Sequence, residues 1–369
     1  MGLSPRSLPD FPWDSLAPYK ARAVAHPDGL VDLSVGTPVD PTPAVIRDAL
    51  AAAADAPGYP TTHGTAALRE AVAGWFDRRR GAPGVDPAAV LPTVGSKELV
   101  ATLAAYLGLG AGDVVVHPAA AYPTYDVGAR LVGATALATD DVDAWRGNPA
   151  VKLVWVNSPS NPTGRVASVE ELAAVVAAAR EIGALVASDE CYAELSWTDE
   201  PVPSILDPRV CGGSHEGVLA VYSLSKQSNL AGYRAAFVAG DPAVIAALLE
   251  VRKHAGLIVP APVQAAMTVA LGDDAHVAEQ KERYRARRDM LLPAVQEAGF
   301  RIDHSDAGLY LWATRDEDCW DTLELLSGLG ILAAPGAFYG EAARRHVRIA
   351  LTASDTGVSS ASSRLAKRE

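Results

Sequence analysis

One lysine in this chain stands where it could act as a nucleophile. Lys226 follows the apolar run Leu219–Tyr222 within Val221-Tyr-Ser-Leu-Ser-Lys226-Gln-Ser-Asn-Leu-Ala-Gly-Tyr-Arg234. A lysine just behind a buried strand is poorly solvated, which lowers its pKa and leaves the amine able to form a Schiff base. Ser223 and Ser225 flank it, and Arg234 follows on a glycine-containing loop. Hydroxyls and a guanidinium gathered around a lysine suit a phosphate. Most lysines are solvated surface groups, so Lys226 alone does not establish catalysis.

Two further segments support it. Asn157-Ser-Pro-Ser-Asn161-Pro-Thr-Gly164 follows the strand-like run Leu153–Val156 and is a turn by composition. Leu185-Val-Ala-Ser-Asp189-Glu-Cys-Tyr192 ends an apolar run with a carboxylate, where open α/β sheets gather ligand groups. By itself Asp189 would equally serve as a helix N-cap. A third glycine-bearing run, Gly108-Leu-Gly-Ala-Gly112, imitates a dinucleotide fingerprint, but Asp113 stands where the last glycine is required. Its glycines also precede a strand instead of following one, so it is a helix-to-strand turn.

These residues must be positioned by regular elements. Strand-like runs at Val114–His117, Leu153–Val156, Leu185–Ser188, Leu219–Tyr222 and Ala235–Ala239 alternate with helical patterns at Lys97–Leu109, Thr124–Val132, Val169–Ile182 and Ala243–Lys253. The runs are continuously apolar, as in strands covered by helices on both faces, and the alternation implies a mostly parallel sheet. After Pro260 the texture changes. Val263–Leu271 and Asp274 to about Ala298 read as helices, and Gly308–Ala313 and His346–Leu351 as strands of a smaller α+β unit. The serine- and alanine-rich stretch Ser354–Glu369 is expected as a weak or frayed helix.

Composition bounds the function. At 369 residues the chain suggests two domains, against about 150 residues per domain. Net charge is −12 with no basic block, which argues against a non-specific nucleic-acid binder. Three scattered cysteines (Cys191, Cys211, Cys319) make neither a disulfide framework nor a metal site, and suit a reducing cytoplasm. The proline-rich start, Met1 to Lys20, lacks the apolar centre of a signal peptide, and no run approaches the roughly 18 apolar residues of a membrane span.

In chain order, the NPTG run, the D-x-x-Y run and SxSK-(x)7-R resemble the signatures of fold-type I pyridoxal-phosphate enzymes, the class I/II aminotransferases. The resemblance runs from about Asp32 to Leu351. A finer resemblance, through Gly95-Ser-Lys-Glu-Leu99 and the arm around Phe11-Pro-Trp-Asp14, is to bacterial N-succinyldiaminopimelate aminotransferases. It implies a large domain with a mostly parallel seven-stranded sheet between helices, over residues 41–265. Residues 266–369 would form a small α+β domain, with 1–40 as an N-terminal arm and part of that domain.

The resemblance also implies roles. Lys226 would carry the cofactor pyridoxal 5′-phosphate and shuttle the substrate proton, and Asp189 would pair with the pyridine nitrogen. Tyr192 and Asn161 would bond the ring hydroxyl, and Tyr122 would stack on the ring. Gly95, Ser96 and Lys97 would meet the phosphate at a helix start, with Ser223, Ser225 and Arg234 completing the cup. Tyr59 would reach the phosphate of a partner subunit, making a homodimer with shared active sites. Arg348 would grip the substrate α-carboxylate, with Gly36 close by and Asn161 assisting. An arginine in an apolar strand is costly to bury without such an anion. Lys97 would meet the distal charge of the substrate.

The activity expected is amino transfer between glutamate/2-oxoglutarate and N-succinyl-LL-2,6-diaminopimelate, with small amino and oxo acids as the only partners besides a second copy. A broad aspartate/aromatic aminotransferase or a C–S β-lyase would use the same scaffold. A regulatory sensor would need a DNA-binding module, for which the roughly 30 residues before Asp32 are too few.

Overall fold

A computed structural model describes residues 8, 9 and 11–366; Met1–Ser7, Asp10 and residues 367–369, which include parts of the arm and tail, lie outside it. Seven strands form the main sheet: β1 (Val90–Val94), β2 (Val114–His117), β3 (Thr135–Ala138), β4 (Val151–Asn157), β5 (Leu185–Asp189), β6 (Val218–Ser223) and β7 (Ala235–Gly240). Their order is β1-β7-β6-β5-β4-β2-β3. Every neighbouring pair is parallel except those of β7, which runs antiparallel to both β1 and β6.

Alternation in β6 shows why the sheet is buried on both sides. Val218, Ala220 and Tyr222 enter one apolar core with Trp75 and Phe237, whereas Leu219 and Val221 enter another with Leu99 and Leu153. Helices Ala66–Arg80 and Ser96–Tyr106 supply the covering side chains on these two faces. The strands that the apolar pattern did not single out, β1 and β3, are the two edges. The first carries Pro92, tolerated where a ladder ends, and the second is a half-exposed alanine-rich run.

A second sheet is wholly antiparallel, with β8 (Arg301–Ile302), β9 (Tyr310–Thr314), β10 (Ala334–Pro335) and β11 (His346–Ala350) in the order β10-β11-β9-β8. The long helix Asp274–Glu297 packs beside it. The N-terminal segment joins this unit through a parallel pair, Val31–Asp32 with Ile331–Leu332.

The tail corrects the expectation of fraying. Asp355–Ala366 is a helix whose Val358, Ala361 and Leu365 are at most 2% exposed, while Ser359 and Ser363 face solvent. Full burial of the Val358 and Leu365 side chains contributes about 1.5–3 kcal/mol each. Arg364 adds hydrogen bonds to the carbonyls of Asp28, Gly29 and Gly330. Tertiary burial thus overrides the weak propensity of serine.

Candidate active site

A cavity of about 530 Å³ lies where the C-terminal ends of β4, β5 and β6 face Tyr310 of β9 and Arg348 of β11. Ladder register builds one wall: Asn157 is paired with Asp189, and Asp189 with Val221, so three strand ends stand side by side. Ser223 ends β6 and caps the one-turn helix Leu224–Gln227 that carries Lys226. The Lys226 ammonium donates to the carbonyl of Gly36. Burial pulls its pKa down, with Arg348 and Arg234 acting the same way against Tyr310 and Cys191.

Asp189 is buried and receives two hydrogen bonds, from the Tyr125 hydroxyl at 2.9 Å and the Cys191 N–H at 3.2 Å. Burial raises its carboxyl above the usual range, and these donors oppose the rise. No helix follows: residues 191–194 form turns, so Asp189 is not a helix cap. The Ser223 and Ser225 hydroxyls are 2.8 Å apart, beside Arg234, whose guanidinium donates to Ala231 O at 2.8 Å. Gly95, at φ +77°, begins the helix Ser96–Tyr106 next to that guanidinium; a Cβ there would lie 2.1 Å from Arg234 Nη2.

The opposite wall comes from the smaller unit. Arg348 is 3% exposed, yet its hydrogen bonds go to neutral oxygens, Asn161 Oδ1 at 2.8 Å and Ser34 O at 2.7 Å. Its guanidinium carbon lies 3.9 Å from the Tyr310 ring centre and 5.0 Å from that of Tyr339, and its Nε has no partner. A buried guanidinium served only by dipoles and π faces is a site for an anion. The Tyr192 hydroxyl is 3.0 Å from that of Tyr310.

The cavity therefore gathers Lys226, Asp189, Tyr192, Asn161, Tyr122, Ser96, Lys97, Ser223, Ser225, Arg234, Arg348 and Gly36. Gly95 abuts it through Arg234. Tyr59 is not brought in; it is fully exposed, at 101%. Lys97 is exposed, with its ammonium 5.8 Å from the ring centres of both Phe11 and Tyr122. Sequence reasoning missed Tyr125 and Tyr310. Tyr125 lies one helical turn beyond Tyr122. Tyr310 belongs to the β9 face that Arg348 shares, since Arg348 is paired with Trp312 two residues away.

The description "Aminotransferase class I and II" matches residues 28–365. The chain belongs to this family, whose members depend on pyridoxal phosphate. It is similar to the 4-dedimethylamino-4-oxo-anhydrotetracycline transaminase OxyQ of Streptomyces rimosus, at 61% identity over 98% of this chain and 99% of that one. It is similar at 60% identity to the probable aminotransferase Rv1178 of Mycobacterium tuberculosis, over 97% of this chain and 85% of that one. Among solved structures, the probable N-succinyldiaminopimelate aminotransferase of Thermus thermophilus superposes with a TM-score of 0.86. Identity there is 28%, covering 97% of this chain and 100% of that one.

The side chains of this aminotransferase fit the family's cofactor. The buried carboxylate of Asp189 suits a cationic ring nitrogen, and Lys226 has no carboxylate holding its amine. Glycine at 95 leaves the space beside Arg234 that a phosphate-binding corner needs. Among the described residues no His/Cys/Asp/Glu cluster could hold a metal, and no helix is long and apolar enough to cross a membrane.

Proposed function

We propose that this aminotransferase moves amino groups between glutamate/2-oxoglutarate and N-succinyl-LL-2,6-diaminopimelate. The observation that supports it most is Arg348, a buried guanidinium at the cavity floor with no carboxylate partner of its own. Two planar N–H faces there suit an α-carboxylate, which every substrate of such an exchange brings except a ketone without one. Asn161 and the Ser34 carbonyl hold the guanidinium in place.

Bound pyridoxal phosphate supplies the electron sink for negative charge left at the substrate Cα. Lys226, its pKa lowered by burial, takes the proton from Cα and returns it during each half-reaction. Asp189, aimed by Tyr125 and the Cys191 N–H, holds a proton at the pyridine nitrogen. Tyr192 and Asn161 bond the ring hydroxyl, and Tyr122 covers the ring face. Ser96, Ser223, Ser225, Arg234 and the backbone at Gly95 hold the phosphate. A cation at the cavity mouth, Lys97, supports the succinylated substrate, whose far end carries further carboxylates.

A different acceptor is favoured by the 61% identity to OxyQ and by Phe11, Trp13 and Tyr122 at the cavity wall: a ketone of the anhydrotetracycline kind named for that relative. The purified holoprotein distinguishes the readings. With N-succinyl-LL-2,6-diaminopimelate and 2-oxoglutarate, glutamate should accumulate at a rate well above that with aromatic amino donors. A preference for the fused-ring ketone, or release of ammonia in place of glutamate, would reject the substrate proposed.

We further propose a homodimer with shared sites, in which the exposed Tyr59 reaches the partner's phosphate. Mixing inactive Tyr59→Ala and inactive Lys226→Ala subunits should restore some activity, because one site of each heterodimer carries neither change. Proven subunit exchange without recovery would reject it.

A further inference from the structure

Tyr310 touches both walls of the cavity. Its ring face lies 3.9 Å from the guanidinium carbon of Arg348, and its hydroxyl stands 3.0 Å from that of Tyr192. Gly36 makes the approach possible: a Cβ at that position would lie 2.0 Å from the Tyr310 hydroxyl oxygen. The Gly36 carbonyl is in turn the acceptor for Lys226.

We propose that Tyr310 is a positioning residue that seats the carboxylate-binding Arg348 on its ring and bonds the Tyr192 hydroxyl with its own, joining the substrate wall to the cofactor wall. This rests on the assignments of Arg348 and Tyr192 made above. The Arg348 Nε has no hydrogen-bond partner, and the Tyr310 ring lies closer to the guanidinium than that of Tyr339, at 3.9 Å against 5.0 Å, so it gives the larger cation–π support. The two hydroxyls sit in unequal fields. Burial raises the Tyr310 pKa, but Arg348, Lys226 and the Tyr192 bond outweigh it and leave it below the usual tyrosine value. Burial and Tyr310 itself hold Tyr192 well above that value.

The two roles separate by substitution, read on the visible absorbance of the bound cofactor. An α-methyl amino acid binds through its carboxylate but has no Cα proton to lose, so its Kd reports the seat of Arg348 without turnover. Tyr310→Leu, which removes the flat face, should raise that Kd about tenfold, and Tyr310→Phe should restore it. Tyr310→Met replaces the leucine variant if circular dichroism shows that one unfolded. Tyr310→Phe removes the hydroxyl that bonds Tyr192, the residue assigned to the cofactor's phenolic oxygen. The pH midpoint of the absorbance should then shift by about half a unit or more.

A Kd unchanged within twofold in the ring-less variant, or a midpoint that stays in place in Tyr310→Phe, overturns the proposal. If the unsubstituted protein does not bind the α-methyl amino acid at all, the carboxylate role of Arg348 fails and the inference falls with it. Binding with an indifferent Tyr310 rejects the inference alone.

Discussion

The two walls of the cavity are built differently. The wall formed by β4, β5 and β6 rests on a parallel ladder, with Asn157, Asp189 and Val221 locked in register and buried on both sheet faces. The facing wall carries Arg348 and Tyr310 on the antiparallel β9–β11 ladder, but that ladder is docked to the rest of the site by segments far apart in the chain. Arg348 is held by Ser34 across 314 positions and by Asn161 across 187, one hydrogen bond each. The loop carrying Gly36 is moored by Thr352 to Val35 O at 2.9 Å and by the buried pair Asp40–Arg287 at 2.6 Å. A ladder moves only as a unit, whereas single long-range contacts can be lost one by one. Changes in the first wall should therefore abolish chemistry without disturbing shape, and changes in the second should loosen substrate binding by degrees.

The largest effect tests the first wall. Lys226→Ala should abolish turnover, while Ser223, Ser225 and Arg234 keep some cofactor bound without a covalent link. Gel filtration followed by an absorbance spectrum measures the second point, and a transamination assay the first. Activity within tenfold of the unsubstituted protein would remove the lysine from the reaction. Next comes Asp189→Asn. The amide oxygen still accepts from the Cys191 N–H, and its NH2 can donate to the Tyr125 hydroxyl, so the melting temperature should barely change. The rate should drop by roughly a thousandfold, because an amide cannot hold the ring nitrogen's proton. A rate that survives would make Asp189 a turn residue only.

A smaller effect tests the second wall. In Gly36→Ala the new Cβ would stand 2.0 Å from the Tyr310 hydroxyl, so Tyr310 or the loop must shift. Overpacking of this kind costs about 1–3 kcal/mol. The cost should fall on KM for the amino acid, raised about tenfold, with the cofactor spectrum nearly unchanged. Equal loss of cofactor affinity would show that the two walls are not mechanically separate.

The same contrast explains what could be read from the sequence. The first wall was legible because its side chains follow strand ends within short runs: Asp189 after Leu185–Ser188, Lys226 after Leu219–Tyr222. Local order there coincides with spatial order. The second wall was legible only at Arg348, whose charge is out of place in an apolar strand, and at Gly36 by resemblance. Tyr310 is an ordinary residue for a buried strand, and only the β9–β11 register shows that it shares a face with Arg348. The edge strands β1 and β3 carry no continuous apolar run, since each is paired on one side only. The tail helix depends on a stripe of Val358, Ala361 and Leu365 that serine-rich composition conceals.

The smallest effect concerns the cavity mouth, where neither wall dominates. N-succinyl-LL-2,6-diaminopimelate brings one α-carboxylate to the reacting end and further carboxylates to the far end. Arg348 can take only the first, so if this is the substrate a second cation must meet the others, and in a protein of net charge −12 that cation has to be local. Lys97 is suited by position. It is exposed at the cavity edge, and its ammonium lies 5.8 Å from the rings of Phe11 on the arm and Tyr122 on the cavity wall. It also sits in the first turn of the helix Ser96–Tyr106, where positive charge is mildly unfavourable, so helix stability does not account for it. Lys97→Met keeps the stem and removes the charge. KM for the succinylated substrate should rise about tenfold, or about 1.4 kcal/mol, with a smaller change for a short neutral amino acid. Equal changes for both would place Lys97 on the phosphate or the helix instead, and no change for either would leave the ammonium to its two aromatic neighbours.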